Sequence, residues 1–266
     1  MKIATYNVWH SDRGMPEREQ QIIAEINALD ADVVVLQEVR DEAFNGRVLR
    51  ATHYKYHCFA PHAGRVVTAE PERQAEGLAV YSQHPITYTQ YIDYALLVVV
   101  EHRGHAILLV NVHLPWDSVL AQEASIVAIS REVSAVSSDY RFILGDFNCG
   151  ETSSVQQYLK GYRSLNHTEV QHYWTDLALV AEEFLGIKKE MTLDLVRNPR
   201  WQGKPLTDNS SRVDCIFIHD CFPQPYPVLK AFRYFGKEVS AKTGLCASDH
   251  YGVWVELQMP YEQLAS

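Results

Sequence analysis

The chain has 266 residues, of which 47% are hydrophobic and 21% charged, and its formal net charge is −9. This length allows a sizeable core, and the composition is that of an ordinary folded protein rather than a disordered or fibrous one. The acidic balance disfavours a general nuclease, since basic residues normally supply the affinity for nucleic acid, but it leaves metal-assisted work on phosphates open.

Short strands interleaved with a few helices are predicted along the chain. Apolar residues at helical spacing predict a helix over Glu17–Leu29 and a second over Val119–Val136, and Gly161 is suited to end a short helix over Thr152–Lys160. Residues 162–211 have little readable pattern, and the loop Arg197–Ser211 looks irregular. The predicted strands are Lys2–Asn7, Val33–Glu38, Leu78–Ser82, Ala95–His102, Ala106–His113, Arg141–Leu144, Val213–Ile218 and Gly252–Leu257.

Neither repeats nor a Gly/Ser-rich linker divide the chain, so one domain over residues 1–266 is predicted. A mixed, largely antiparallel α/β domain fits this pattern better than a strict βαβ array. The longest strongly apolar run, Ala95–Val100, is far shorter than the roughly 20 residues of a membrane span. The N-terminal residues enter strand-like sequence without a signal region, and we therefore expect a cytoplasmic protein. A monomer is also expected, although no feature of the sequence discloses the oligomeric state.

The cysteines and most histidines predict no metal cluster. The five cysteines are scattered without a C-x-x-C pair, so we expect reduced thiols rather than disulfides or a zinc site. Cys149 lies next to the most polar motif, but no base is assigned to it, and we expect no nucleophilic role. Histidines outside the motifs below show no metal-binding spacing, and there is no H-E-x-x-H motif.

Polar side chains stand at the ends of apolar strands throughout the chain. The stretch Arg141–Gly150, RFILGDFNCG, is the clearest example, because a buried strand runs into a carboxylate and an amide two residues apart. Neighbouring antiparallel strands place the end of one beside the start of the next, so these side chains are expected to converge on one rim. They are Asn7, Glu38, His113, Asp146, Asn148, Asp214, Asp249 and His250.

The residue types in this set suit metal-assisted attack of water on phosphorus. Glu38 and Asp249 offer the hard oxygen ligands that Mg²⁺ or Mn²⁺ prefers. Asp146 is a carboxylate able to take a proton from water, and His250 can donate a hydrogen bond to a phosphate oxygen. Each residue alone also has a purely structural interpretation, such as a turn, a strand-end carboxylate, a core histidine at position 113 or a pairing of Asp214 with Arg212.

Six motifs decide between these interpretations, because together they resemble a known superfamily in its own order. The stretches TYNVW, LQEV, NVHL, GDFN, RVDCIFI and SDHYG, spread from residue 5 to about residue 257, resemble the magnesium-dependent endonuclease/exonuclease/phosphatase superfamily. That superfamily includes deoxyribonuclease I-like nucleases, abasic-site endonucleases, neutral sphingomyelinases and inositol polyphosphate 5-phosphatases. The resemblance implies a four-layer sandwich, in which two mixed, largely antiparallel sheets pack face to face between helices.

The resemblance also implies a role for each motif residue. Glu38 would be the main ligand of Mg²⁺ (Mn²⁺ is the alternative), with Asn7 and Asp249 in the same site. Asp146 would activate water, with Asn148 as the amide that fixes it and the phosphate. His250 would bind the phosphate, held by Asp214. His113 stands where abasic-site endonucleases usually have a tyrosine, so it favours the deoxyribonuclease I, sphingomyelinase and inositol phosphatase branches.

The predicted activity is therefore hydrolysis of a phosphodiester or phosphomonoester, with a small or lipid-like substrate favoured. A nuclease of the same superfamily is the alternative, and a non-catalytic binding module on the same scaffold is the rival from another class. Five residues are weaker candidates for the substrate pocket, each about as well explained by ordinary packing or solvation. They are Glu76, which could orient His113, and Trp116, Arg197, Arg200 and Trp201.

Overall fold

The computed structural model describes residues 1–62, 76–170, 173–203 and 208–262. Two six-stranded sheets account for the strands of these residues. From edge to edge, the first contains β11 (Val228–Phe235), β12 (Gly252–Gln258), β1 (Lys2–Asn7), β2 (Val33–Val39), β4 (Gly77–Ser82) and β3 (Tyr56–Pro61). The second contains β5 (Ile86–Ile92), β6 (Ala95–His102), β7 (His105–His113), β8 (Tyr140–Asp146), β10 (Asp214–His219) and β9 (Trp174–Asp176).

Each sheet is antiparallel apart from one parallel pair. The strands β1 and β2 run parallel and are joined by helix α1 (Glu17–Leu29), and β7 and β8 run parallel and are joined by helix α3 (Val119–Ala135). A parallel pair requires such a crossover, and it brings the carboxyl ends of both strands to one edge of the sheet. The polar ends of the parallel strands therefore share a rim.

Helices cover the outer faces of both sheets. Besides α1 and α3, these are α2 (Glu42–Ala51) on the first sheet and α4 (Ser154–Leu159) on the second, whereas α5 (Leu177–Leu185) packs on the core between the sheets. Side-chain oxygens cap four of the helix starts, where Asp41, Ser118, Ser153 and Asp176 each accept a hydrogen bond from a backbone N–H of the first turn. No helix among the described residues is long and apolar enough to cross a membrane.

Alternating side chains of the central strands divide the core into three layers. In β2, Val33 and Val35 face the second sheet, whereas Val34 and Leu36 face the helix α1. The second sheet repeats this arrangement, with its outer face packed under α3 and α4. Strands buried on both faces read as continuous apolar runs, which is why these strands are easy to find in the sequence. The predicted four-layer sandwich is confirmed.

The sequence misses six elements and shifts the ends of others. The strands β3, β5, β9 and β11 and the helices α2 and α5 were not predicted, because exposed side chains interrupt most of them. The predicted helix Thr152–Lys160 is shorter, at Ser154–Leu159, and the predicted strand Val213–Ile218 lies one residue later, at Asp214–His219. The loop Arg197–Ser211 contains a 3-10 turn at Pro199–Trp201, and its residues 204–207 lie outside the described part of the chain.

Candidate active site

Strand register places three of the predicted residues in one row across the second sheet. His113 on β7 pairs with Asp146 on β8, and Asp146 pairs in turn with Asp214 on β10. Residues paired in this way point to the same face of a sheet. All three side chains are at least 97% buried, so they form a wall of titratable groups at the end of the sandwich rather than a solvated surface.

The first sheet contributes Asn7 and Glu38 from the ends of its parallel strands. The pairing of β2 with β4 shifts register between Leu36 and Val39, and Glu38 within this bulge has a φ of 57°. A bulge re-aims a side chain, and a positive φ is uncommon for residues other than glycine. The bulge thus turns Glu38 out of the alternation of the strand and towards the second sheet.

Asn7 joins the two sheets through its amide. Its Nδ2 donates to Glu38 Oε1 at 3.0 Å and to Asp146 Oδ2 at 3.0 Å, and its Oδ1 accepts from the backbone N–H of Trp9 at 3.0 Å. The amide therefore holds two carboxylates close together, which would otherwise repel each other. Its predicted contact with a metal ion remains a prediction.

Asp146 is fixed from two sides. Besides the bond from Asn7, its Oδ1 accepts from the backbone N–H of Asn148 at 2.8 Å. The Asn148 amide donates to the carbonyl of Leu114 at 2.8 Å, and Asn148 has a φ of 48°. The bond from the Asn148 N–H to the Asp146 side chain is an Asx turn, as a purely structural role of the GDFN motif would predict. The turn also fixes the orientation of the Asp146 carboxylate, which is 99% buried at the end of β8.

His250 pairs with Asp214 as predicted. Its Nδ1 donates to Asp214 Oδ2 at 2.9 Å, and the same nitrogen lies 3.9 Å from Asp146 Oδ2. Burial disfavours the charged imidazolium, but Asp214 and Asp146 outweigh this and raise the pKa of His250 well above its ordinary value. Since Nδ1 is occupied by Asp214, Nε2 is the nitrogen available to a substrate. Arg212, the alternative partner of Asp214, instead pairs with Asp176 at 2.6 Å.

Asp249 is the residue that indicates a cation. It is 7% exposed, and its Oδ1 is buried without a hydrogen-bond partner among the described residues. Burial and the nearby Glu38 raise the pKa of this carboxyl to about 6, against the opposing effects of His250, Arg200 and Arg18. A buried carboxylate facing a second one needs a counter-charge. Glu38 and Asp249 line the same cavity, so this donor set fits a divalent cation held by oxygen ligands.

The cavity has a volume of about 290 Å³, and aromatic and cationic side chains form its rim. The Arg200 guanidinium lies 5.0 Å from the ring centre of Trp9 and 4.8 Å from that of Trp201. Three of the weaker candidates for the substrate pocket, Arg200, Trp116 and Glu76, line this cavity. Among the described residues, Trp201 does not line the cavity, but its ring contacts Arg200, which does. Arg197 does not line the cavity in the described part of the chain, and its exposed side chain lies near Asp194.

Glu76 and His113 are close together, as predicted, and His62 joins them. One donor atom of each of these three residues lies within 4.8 Å of the other two. Glu76 also lies 3.6 Å from His10 Nδ1. Position 62 follows β3, a strand that the sequence does not reveal, and this is why His62 was missed.

Other missed residues hold the loops that carry the site. The buried Arg18 guanidinium donates to backbone carbonyls of the loop that follows β1 and the loop that precedes β12, among them Val8 at 2.9 Å and Ala247 at 3.0 Å. Ser248 Oγ donates to the carbonyl of Asn7 at 2.6 Å, and the Asn198 amide donates to the carbonyl of Ser248 at 2.9 Å. Ser248 belongs to the SDHYG motif and was within reach of sequence reasoning, whereas Arg18 reads as an ordinary charge on a helix.

The thiol of Cys149 is not activated. Burial raises its pKa to about 12, so it remains protonated at neutral pH, in agreement with the predicted absence of a nucleophilic role. All five cysteines are free in the structure.

Solved structures with the same fold cover nearly the whole chain. TDP2 of D. rerio, solved in complex with a single-strand DNA product, has a TM-score of 0.73 at 16% identity and covers 97% of this chain and 99% of its own. The beta toxin of Staphylococcus aureus has a TM-score of 0.67 at 15% identity, with coverage of 96% and 99%. An endonuclease/exonuclease/phosphatase from Beutenbergia cavernae has a TM-score of 0.65 at 19% identity, with coverage of 97% and 71%.

These identities establish a shared fold and no more. No curated protein matches this chain in sequence. The model of the Endonuclease/Exonuclease/phosphatase family, however, matches residues 4–250, which include every residue of the site described above. The chain therefore belongs to the Endonuclease/Exonuclease/phosphatase family, a family of phosphate-ester hydrolases.

Proposed function

We propose that the protein is a divalent-metal-dependent phosphoesterase that hydrolyses a small or lipid-like phosphate ester by attack of water. The observation that carries the proposal is the buried Oδ1 of Asp249, which has no hydrogen-bond partner in the described part of the chain and belongs to a residue that lines the same cavity as Glu38. Glu38 and Asp249 would hold Mg²⁺ or Mn²⁺. When bound, such an ion polarises a phosphate oxygen and stabilises the charge that develops on the leaving oxygen.

The protein side chains divide the remaining tasks. Asp146 takes the proton of the attacking water, because its carboxylate is held in one orientation by Asn7 and Asn148 and lies beside His113 and Asn148, which line the cavity. His250 donates a hydrogen bond to the phosphate from Nε2, since Asp214 holds its Nδ1. His113 Nε2 lies 3.8 Å from Asp146 Oδ2 and 3.9 Å from Glu38 Oε1, where it stabilises negative charge beside both carboxylates.

The rim favours a substrate with an apolar part. Trp116, Val119 and Leu120 are 70%, 64% and 71% exposed; Trp116 lies in the segment between β7 and α3, and Val119 and Leu120 are the first two residues of α3. Three large apolar residues exposed together beside a cavity are typical of an interaction site rather than of random surface. The net charge of −9 also suits an uncharged apolar surface better than a polyanion.

A nuclease is the second candidate. It is favoured by the similarity to TDP2, whose structure contains a single-strand DNA product, and by the Arg200 and Trp201 pair at the rim. The acidic net charge is the argument against it.

One panel of substrates distinguishes these candidates. We expect EDTA-sensitive hydrolysis of a chromogenic phosphodiester, and faster hydrolysis of sphingomyelin vesicles or inositol phosphates than of plasmid DNA or an abasic oligonucleotide. Activity on no substrate, or activity that EDTA leaves unchanged, would contradict the proposal. Preference for either DNA substrate would establish the nuclease instead.

A pair of variants tests the apolar rim separately. Replacing Val119 and Leu120 by serine should slow hydrolysis of vesicle-borne lipid and leave the soluble chromogenic diester unaffected, because neither side chain lines the cavity. Phe184→Ser is the matched control, since Phe184 is 73% exposed on α5 and also lies outside the cavity lining. Equal rates of the double variant and the control on vesicles would show that the rim does not contact lipid.

A further inference from the structure

A second group of metal-ligating side chains lies at the end of the sandwich opposite the candidate active site. Asp32 immediately precedes β2, His84 follows β4, and His102 ends β6. The candidate active site occupies the carboxyl ends of β1 and β2, so residues that precede β2 or follow its antiparallel neighbour β4 lie at the other end. Sequence spacing does not reveal this group, because its members lie far apart along the chain.

The three side chains offer donor atoms at distances close to those of a metal site. One donor atom from each lies within 4.8 Å of the other two, and His84 Nε2 is 3.4 Å from Asp32 Oδ1. The rings of His84 and His102 meet edge to face, with centroids 4.6 Å apart. Ligands that share one tetrahedral Zn²⁺ at about 2.0–2.1 Å are themselves about 3.3 Å apart, so small side-chain movements would complete the site.

Neighbouring groups orient two of the ligands. Asp32 Oδ2 accepts a hydrogen bond from the backbone N–H of Lys2 at 2.6 Å, which leaves Oδ1 directed to His84. His102 is 4% exposed, and its Nδ1 is hydrogen-bonded to the Tyr261 hydroxyl at 2.7 Å, which leaves Nε2 available. A hydrogen bond on the second ring nitrogen is the usual way in which a metal-binding histidine is held in orientation.

A further carboxylate lies beside His102 and offers a fourth ligand position. Glu262 Oε1 is 3.9 Å from His102 Nε2, and the same oxygen is 3.6 Å from the N-terminal ammonium of Met1.

The site is also reachable from solvent. Asp32, His102 and Glu262 line a surface cavity of about 750 Å³. Two imidazoles and one or two carboxylates favour a transition metal over Mg²⁺ or Ca²⁺, which prefer oxygen ligands alone.

We propose that Asp32, His84 and His102 bind a transition-metal ion, with Zn²⁺ as the expected species, at the end of the sandwich remote from the active site. The three ligands come from both sheets, since β2 and β4 belong to the first sheet and β6 to the second. The bound ion therefore links the two sheets and stabilises the folded chain, while hydrolysis at the other end proceeds without it.

Titration with Zn²⁺ tests the proposal, and it is best done on EDTA-treated protein that carries Asp249→Asn, so that the active-site cation site is weakened. We expect one equivalent of Zn²⁺ to bind by calorimetry, and the melting temperature to rise by about 5 °C at a Zn²⁺ concentration 100 times the Kd. Adding His84→Gln should weaken Zn²⁺ binding by at least about 10–100-fold, the usual cost of losing even a supporting residue of a metal site. His84 is only partly buried, so this substitution spares the core.

His105→Gln is the matched control, because His105 stacks on Tyr261 at 4.0 Å, adjacent to the cluster, without belonging to it. In the Asp249→Asn background, His105→Gln should leave the affinity for Zn²⁺ unchanged. Asp32→Asn should reduce that affinity as His84→Gln does. Equal binding by the His84→Gln and His105→Gln proteins, or no saturable Zn²⁺ binding by the parent, would overturn the proposal. Hydrolysis with Mg²⁺ should be equal in the His84→Gln single variant and the unsubstituted protein, so the two proposals can fail independently.

Discussion

Replacing Asp249 by asparagine should stabilise the metal-free protein while destroying its response to Mg²⁺. Burial and Glu38 raise the pKa of this carboxyl from 3.8 to about 6. The folded protein therefore binds a proton that the unfolded chain releases, and stability falls as the pH rises from about 4 to about 6. The whole cost is present above about pH 7 and amounts to about 3 kcal/mol, taking 1.36 kcal/mol for each pKa unit.

The measurement is urea unfolding in EDTA and in excess Mg²⁺, each at several pH values. In EDTA above about pH 7, Asp249→Asn should be more stable than the unsubstituted protein by up to about 3 kcal/mol, and the difference should vanish below about pH 4. Added Mg²⁺ should stabilise the unsubstituted protein and leave the variant unchanged. Asp93→Asn, at an exposed turn between β5 and β6, is the control and should alter neither series. A variant that is less stable in EDTA, or that gains as much from Mg²⁺, would refute the assignment of Asp249 as a ligand.

Three further substitutions probe other groups. Asp146→Asn should lower turnover of a chromogenic diester by about 10²–10⁴-fold, because it removes the proton acceptor, and an unchanged circular dichroism spectrum would show that the fold survives; near-normal turnover would exclude the role. Burial raises the pKa of Glu25 to about 7, so Glu25→Gln should stabilise the protein increasingly as the pH rises from about 4.5 to about 7. The control is Glu183→Gln, on the exposed face of α5, whose effect on the free energy of unfolding should not change with pH in the same urea series. Cys149→Ser should leave steady-state rates nearly unchanged, because its buried thiol stays protonated, and a large loss would mean that the thiol takes part.

The sequence predicts the centre of each sheet and much less of the edges. Strands such as β2 and β7 are buried on both faces, so continuous apolar runs identify them. The edge strands β3, β5 and β11 carry exposed side chains, and their short or broken patterns resemble loops. Their partners lie on distant strands, and pairing of that kind leaves little trace in local sequence.

Among the site residues, too, those marked by a local sequence pattern were predictable and those that depend on distant contacts were not. Asp146 and Glu38 were predictable because each ends an apolar run with a carboxylate, and the six motifs place them in one site. His62 and Asn198 were not, because each depends on a fold contact that spacing along the chain does not encode. The bulge that turns Glu38 towards Asp146 was equally hidden, since nothing in LQEV distinguishes a regular strand from a bulged one.

A buried polar contact beneath the site joins the two sheets. Gln37 Nε2 donates to Asn111 Oδ1 at 2.6 Å, and Asn111 Nδ2 donates to the carbonyls of Leu36 and Ala79 across the interface. Gln37 is the residue next to Glu38, and Asn111 lies two residues before His113. The strand ends that carry Glu38 and His113 are thus joined directly beneath the candidate active site, so the two sheets cannot separate there without breaking this contact. The backbone amide protons of β2 and β7 beneath the candidate active site should exchange with solvent only when the whole sandwich unfolds. On heating, catalytic activity and the folded structure should be lost at the same temperature.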